Sequence, residues 1–231
     1  MSPTIYIPLA FLGGVLPALF WLWFWLHEDN LHPEPRRRLM LCFLAGMVVV
    51  PLVFPFEKVI LDYFGSTSNL TFFFWAVVEE VFKFGAAYFA ALSLRDNDEP
   101  IDSIIYMITA ALGFSALENT FFLISSLNGD TLGSALVTGN LRFIGATLLH
   151  TASSATVGIF MALQYYKPRL ILRFSTIIGL ALAVILHTLF NLSIINSNGR
   201  ETIATFYVVW ISIIVMILMF EKVKHIRKPF A

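Results

Sequence analysis

The sequence predicts an all-α, polytopic transmembrane helical bundle of about seven spans, forming a single integral membrane domain over residues 1–231. Three observations predict it. Of the 231 residues 58% are hydrophobic, and mean hydropathy is +0.80. Only 13% are charged, about half the share of a soluble domain, so a fold this size lacks the surface to stay in water. Apolar runs of roughly 20 residues recur along the whole chain, each long enough to cross a hydrocarbon core of about 30 Å. The formal net charge is +0, which gives no bulk attraction for nucleic acid. The lone Cys42 lies in an apolar run and has no partner for an internal disulfide.

All seven runs read as helices, because lipid offers no water to free backbone groups and the short alternating segments of a barrel are absent. The first, 5–26, ends in Trp21, Trp23 and Trp25, which suit an interfacial belt, although Trp23 and Trp25 also suit packing. No basic residue precedes it and no small-residue cleavage site follows it, so a removable signal peptide is not expected. The second, 39–61, follows Arg36, Arg37 and Arg38 and carries Glu57 and Lys58 near its far end, where both can snorkel. The third, 70–94, holds Glu79, Glu80 and Lys83 and is followed by Arg95. The fourth, 104–126, follows an acidic stretch with Asp96, Asp98, Glu99 and Asp102, read as a solvated loop, and contains Glu118 and Asn119. The fifth, 141–165, has Arg142 at its edge as an interfacial anchor and contains His150 and Ser154. The sixth, 170–195, contains His187 and Asn191, and the seventh, 203–220, runs into a basic tail. Gly13, Gly14, Gly113, Gly145 and Gly158 read as points of close helix contact.

The loops orient the bundle. Eleven Lys and Arg residues flank spans on one side, and Arg200 alone lies on the other. The positive-inside rule then places the N-terminus outside and the C-terminus in the cytoplasm of a bacterial-type cell membrane. On that frame Glu79, Glu80, Glu118, His150, His187 and Asn191 share one layer, roughly 6–15 Å below the outer surface at 1.5 Å per residue. Four consecutive helices of alternating direction thus bring carboxylates and imidazoles to one depth.

Ionisable groups in lipid are costly and usually face a bundle interior that does chemistry. Lys83 stands three residues after Glu80 and four after Glu79, so it can face either. It keeps one carboxylate ionised and leaves the second to hold or activate a water. A self-neutralising pair is the plainer reading, but a doublet is more than pairing needs. His187 and Asn191, one turn apart, offer two aligned donors suited to an oxyanion. Ser154, one turn from His150, could be a nucleophile, but Ser at that spacing is common packing chemistry. Asn119 reads equally as a site amide or a helix-packing hydrogen bond.

These motifs resemble a known family. EEVFK at 79–83, FSALEN at 114–119, HTASS at 150–154 and HTLFN at 187–191 look like the four motifs of PrsW-type intramembrane proteases. That family is similar to the broader superfamily of CAAX prenyl endopeptidases and bacteriocin-processing enzymes. The resemblance covers a catalytic core of about 70–195. The CAAX pattern EExxxR would place Arg where Phe84 stands, with Lys83 one residue earlier. That departure favours the PrsW branch. The resemblance implies hydrolysis of a peptide bond in a membrane-anchored protein, such as the first, extracytoplasmic cut in an anti-sigma factor. Glu79 or Glu80 would activate water, and His187 and Asn191 would stabilise the oxyanion. His150 would orient the water or protonate the leaving amine, while Glu118, Lys83, Asn119 and Ser154 would support the site. No HExxH is present, so a glutamic mechanism without cofactor is preferred. If zinc bound, its expected ligands would be Glu80, Glu118, His150 and His187. Mid-membrane Glu, Lys and His also build proton-coupled transporters, and the same groove could serve a non-catalytic scaffold that binds a partner helix. The near absence of ionisable groups in the inner halves of spans three to six argues against a transport path.

Overall fold

A computed structural model describes residues 3–28, 33–129, 145–196 and 202–228. Among them are seven helices: α1 (Pro3–Glu28), α2 (Arg36–Phe64), α3 (Asn69–Ala87), α4 (Asp102–Gly129), α5 (Thr147–Leu163), α6 (Arg169–Asn196) and α7 (Thr202–Lys224). No strand occurs among the described residues. The expected spans match these helices, with α4 running a few residues further than anticipated. Arg142 and Arg200 lie outside the described residues.

Among the described residues, four helices are long and apolar enough to cross a membrane: α1, α2, α4 and α6. The α3 helix carries Glu79, Glu80 and Lys83, which make it less apolar, but all three are buried. They turn inward, so the helix still presents an apolar face to lipid. The α5 helix is short and almost wholly enclosed by its neighbours.

The bundle is built around α4. Of its apolar stretch 72% is buried, against 17% for α1, which places α4 at the centre and α1 at the edge. It packs against α1, α2, α3 and α5. The α2–α4 crossing is closed by two glycines: a Cβ on Gly46 would strike the Ala110 carbonyl, and one on Gly113 the Phe43 carbonyl. Backbones at this separation are a membrane-helix device, since dispersion between close surfaces replaces the hydrophobic drive that lipid removes. At its far end α2 stops at Gly65, whose φ of 83° only glycine adopts without strain. Its N–H bonds the Leu61 carbonyl at 2.9 Å, and Ser68 then caps α3 by accepting from Leu70 N–H at 3.3 Å.

At the opposite end the acidic stretch is more ordered than a solvated loop. Asp102 and Glu34 are buried. Asp102 accepts from the N–H groups of Asp98 and Glu99 at 2.8 and 2.7 Å, closing the start of α4. The Tyr106 hydroxyl donates to Glu34, Arg38 Nε donates to Asp96 at 2.6 Å, and the Tyr165 hydroxyl donates to the Asn97 carbonyl at 2.6 Å. These bonds hold the arginine-side loops against α4. Trp25 is fully buried and packs against Phe220 at 6.1 Å, whereas Trp23 is exposed, so packing claims the first and the membrane face the second.

Candidate active site

Glu79, Glu80 and Lys83 come from α3, Glu118 from α4, His150 and Ser154 from α5, and His187 from α6. The structure brings all seven together. Counted at 1.5 Å per residue, Glu79, Glu118 and His187 lie about 14–17 Å from the nearby helix ends. Of the three, Glu118 lies further from its helix end than the sequence suggested, because α4 runs on to Gly129.

Glu80 is fully buried and fully engaged. Lys83 Nζ donates to its Oε1 at 2.6 Å, His187 Nδ1 lies 2.8 Å from the same oxygen, and Ser154 Oγ donates to Oε2 at 3.0 Å. A buried carboxylate with three charge-assisted or polar partners stays ionised and fixed. The Lys83 ammonium also reaches His150 Nδ1 at 3.0 Å and stands 4.8 Å above the centre of the Phe114 ring. It has no acceptor capacity, so Nδ1 must accept and the His150 proton belongs on Nε2. There it faces Glu118 Oε2 at 3.1 Å. By the same reasoning His187 carries its proton on Nδ1, toward Glu80, and turns the lone pair of Nε2 the other way.

Glu79 differs from its neighbour in one respect. Its Oε2 is buried and has no hydrogen-bond partner. That oxygen lies 3.7 Å from His187 Nε2, 3.9 Å from His150 Nδ1 and 3.9 Å from Lys83 Nζ. Polar groups at such separations are characteristic of a shared water or ion between them. The two imidazoles meet edge to face with centres 5.0 Å apart and wall the space.

One expectation needs correction. The expected metal set contained Glu80 and Glu118, but Glu80 is taken up by Lys83, His187 and Ser154, and Glu118 by His150. The group whose ligand atoms lie within 4.8 Å of one another is Glu79, His150 and His187. Ser154 gives its proton to Glu80, which makes it a strut for that carboxylate.

Asn119 donates to Ser115 Oγ at 3.1 Å and to Thr147 Oγ1 at 3.0 Å, which fastens α4 to α5. Asn191 is half-buried one turn beyond His187, and no hydrogen bond ties it to the centre among the described residues. Glu57, expected only to snorkel at the end of the second span, lies closer to the centre. It continues the buried Gly46–Val50–Val53 stripe of α2 by one turn, and its carbonyl accepts from Trp75 Nε1 at 2.9 Å. Trp75 stands one turn above Glu79, and Phe54 meets Phe121 at 5.6 Å, one turn above Glu118. Glu57 therefore sits on the rim and interacts electrostatically with Glu118 and Lys83.

An all-helical bundle with long apolar helices and a buried acid–imidazole cluster defines a polytopic membrane protein. Residues 34–219 match the profile described as PrsW family intramembrane metalloprotease, and the chain belongs to that family. It is similar to the Protease PrsW of Geobacillus kaustophilus, 28% identical over 162 residues that cover 68% of this chain and 65% of that protein. The Protease PrsW of Halalkalibacterium halodurans is 24% identical over 186 residues, covering 78% of this chain and 80% of that one. The Protease PrsW of Bacillus subtilis is 26% identical over 162 residues, covering 68% and 67%. No solved structure matches the chain significantly. Every residue of the centre falls within the matched segment.

Proposed function

We propose that this chain is an intramembrane endopeptidase that hydrolyses a peptide bond of a membrane-anchored protein, with Glu79 as the general base. The unpartnered, buried Glu79 Oε2 facing two imidazoles carries this reading. A carboxylate deprived of donors is a strong acceptor for a water's proton. As the water oxygen bonds to the carbonyl carbon, Glu79 takes its proton. When the C–N bond breaks, that proton passes to the leaving amine, leaving a carboxylic acid and an amine as products.

His187, held at Nδ1 by Glu80, turns the lone pair of Nε2 toward the space beside Glu79 Oε2, where it accepts a hydrogen bond from the attacking water. The Glu80–Lys83 pair fixes that ring and its tautomer, as the buried acid of a catalytic triad does. His150, held at Nδ1 by Lys83 and at Nε2 by Glu118, packs edge to face on His187 and fixes that ring beside the water. Asn191 adds a donor where substrate approaches along α6.

A metal is the second reading, and it rests on the same atoms. Glu79, His150 and His187 would hold it. The other nitrogen of each imidazole is already held by a carboxylate, as is usual for metal-binding histidines. Zinc would supply a more acidic bound water and polarise the scissile carbonyl. Lys83, now bonded to His150 Nδ1, would keep only Glu80 as partner.

The substrate class that fits is a single-span protein cut in the outer half of the bilayer, such as an anti-sigma factor. Purified protein incubated with such candidates, with and without chelator and after metal analysis, tests this reading. Cleavage by wild type and none by Glu79→Gln supports it. Cleavage by Glu79→Gln at the wild-type rate defeats it. A stoichiometric metal whose removal stops cleavage selects the second reading over the first.

A further inference from the structure

Two buried carboxyls meet on the arginine side of the bundle. Glu34 lies in the connection between α1 and α2, and Asp102 opens α4; they are 7% and 1% exposed. Asp102 Oδ2 accepts the N–H groups of Asp98 and Glu99 at 2.8 and 2.7 Å, and Glu34 Oε2 accepts the Tyr106 hydroxyl. The two carboxyls are also hydrogen-bonded to each other. A carboxylate has no proton to give, so that bond exists only while one of the two acids is protonated. Each surrounding donor has a single proton, already directed at Glu34 Oε2 or Asp102 Oδ2, so none of these lies between the carboxyls.

The charges nearby favour keeping that proton. Facing the pair are Arg38 from α2, Asp96, Asp98 and Glu99 from the connection before α4, Tyr106 from α4, and Tyr165 and Tyr166 just past α5. Arg38, the cation of this set, is engaged by Asp96 at 2.6 Å. Asp98 and Glu99 add negative charge, and two buried carboxyls in contact do not both ionise beside it. The pair therefore titrates as one unit.

We propose that Glu34 and Asp102 form a single proton-binding site that fastens the α1–α2 connection to the start of α4 and lets go as the pH on the arginine side rises. The site lies about 24 Å along α4 from Glu118, and it stands whether or not the Glu–His centre cleaves peptides. Thermal unfolding of the purified full chain in detergent, followed from about pH 5 to pH 9, tests it. The unfolded chain gives up this proton near pH 4, as ordinary carboxyls do, while the native pair holds it. The stabilisation is therefore complete at low pH and is lost as pH rises, until the native pair is empty. One such proton lowers the melting temperature of a chain this size by about 3–5 °C for each pH unit in that window.

Glu34→Gln puts an amide N–H where the shared proton was, at the same net charge, and Asp102→Asn does so from the other side. Each variant is expected to melt with wild type near pH 5, to lose this slope, and to melt progressively higher than wild type as pH rises. Titrations at the Glu–His centre are common to all three proteins and cancel in the difference. A wild-type slope retained in both variants would overturn the proposal. So would a loss of stability in both that is the same at every pH, up to failure to fold, since it would show that the fold needs both acids ionised.

Discussion

A buried carboxylate oxygen without a donor is costly, and Glu79 has one where Glu80, its neighbour in sequence, has none. The two residues should therefore answer the same substitution in opposite ways. Glu79→Gln removes an uncompensated acceptor, so thermal unfolding in detergent should show no loss of stability. Cleavage should fall by about 10³-fold, in the range of a lost general base. Glu80→Gln takes the nearest anion from the buried Lys83 ammonium, leaving it His150 Nδ1 and the more distant Glu79, and should lower the melting temperature by a cost of up to about 3–5 kcal/mol. Similar stability losses for both would show that the two acids share one role. The sequence could place this pair in a site, because lipid makes ionisable groups conspicuous. It could not tell them apart: Lys83 is spaced to reach either, and only the positions of His187 and Ser154 decide which one is occupied. Glu57 was assigned to snorkelling alone, because snorkelling explains any charge near a span end.

Among the elements, α4 sets the register of the rest. Its crossing with α2 leaves no room for a side chain at Gly113, so Gly113→Leu should cost at least about 1–3 kcal/mol as the backbones part. Gly85 sits on the opposite, open side of α3. Gly85→Ala should raise stability by about 0.5–1 kcal/mol through the helix propensity of alanine. Paired unfolding curves check both, and equal effects would mean that the α2–α4 contact is looser than described. Asn119 belongs at this scale too: spacing left it open between chemistry and packing, and its bonds to Ser115 and Thr147 make it a fastening between α4 and α5. The helices themselves were readable from apolar runs alone. The polar lock formed by Glu34, Arg38, Asp96, Asp102 and Tyr106 was not, since acidic residues between spans carry no mark distinguishing a buried network from a wetted loop.

For the whole molecule, the charge asymmetry of the loops predicts that the N-terminus faces out and the C-terminus in. Cysteine labelling checks it, because native Cys42 is buried, with its Sγ 3.2 Å from the Tyr106 carbonyl, and should stay silent. Ser66→Cys should react with an impermeant maleimide on intact cells, and Lys228→Cys only after permeabilisation. The reverse pattern would move the reaction centre to the cytoplasmic half.

Between Tyr106 and Phe114 the interior of α4 is packed with Met107, Ile108, Ala110, Ala111 and Leu112, all fully buried. If the Glu–His centre hydrolyses peptides as proposed, this apolar plug closes it on the Tyr106 side and its water would come from the opposite end. A cell could then carry many copies without short-circuiting its proton gradient, since such a centre would open no conduit for ions.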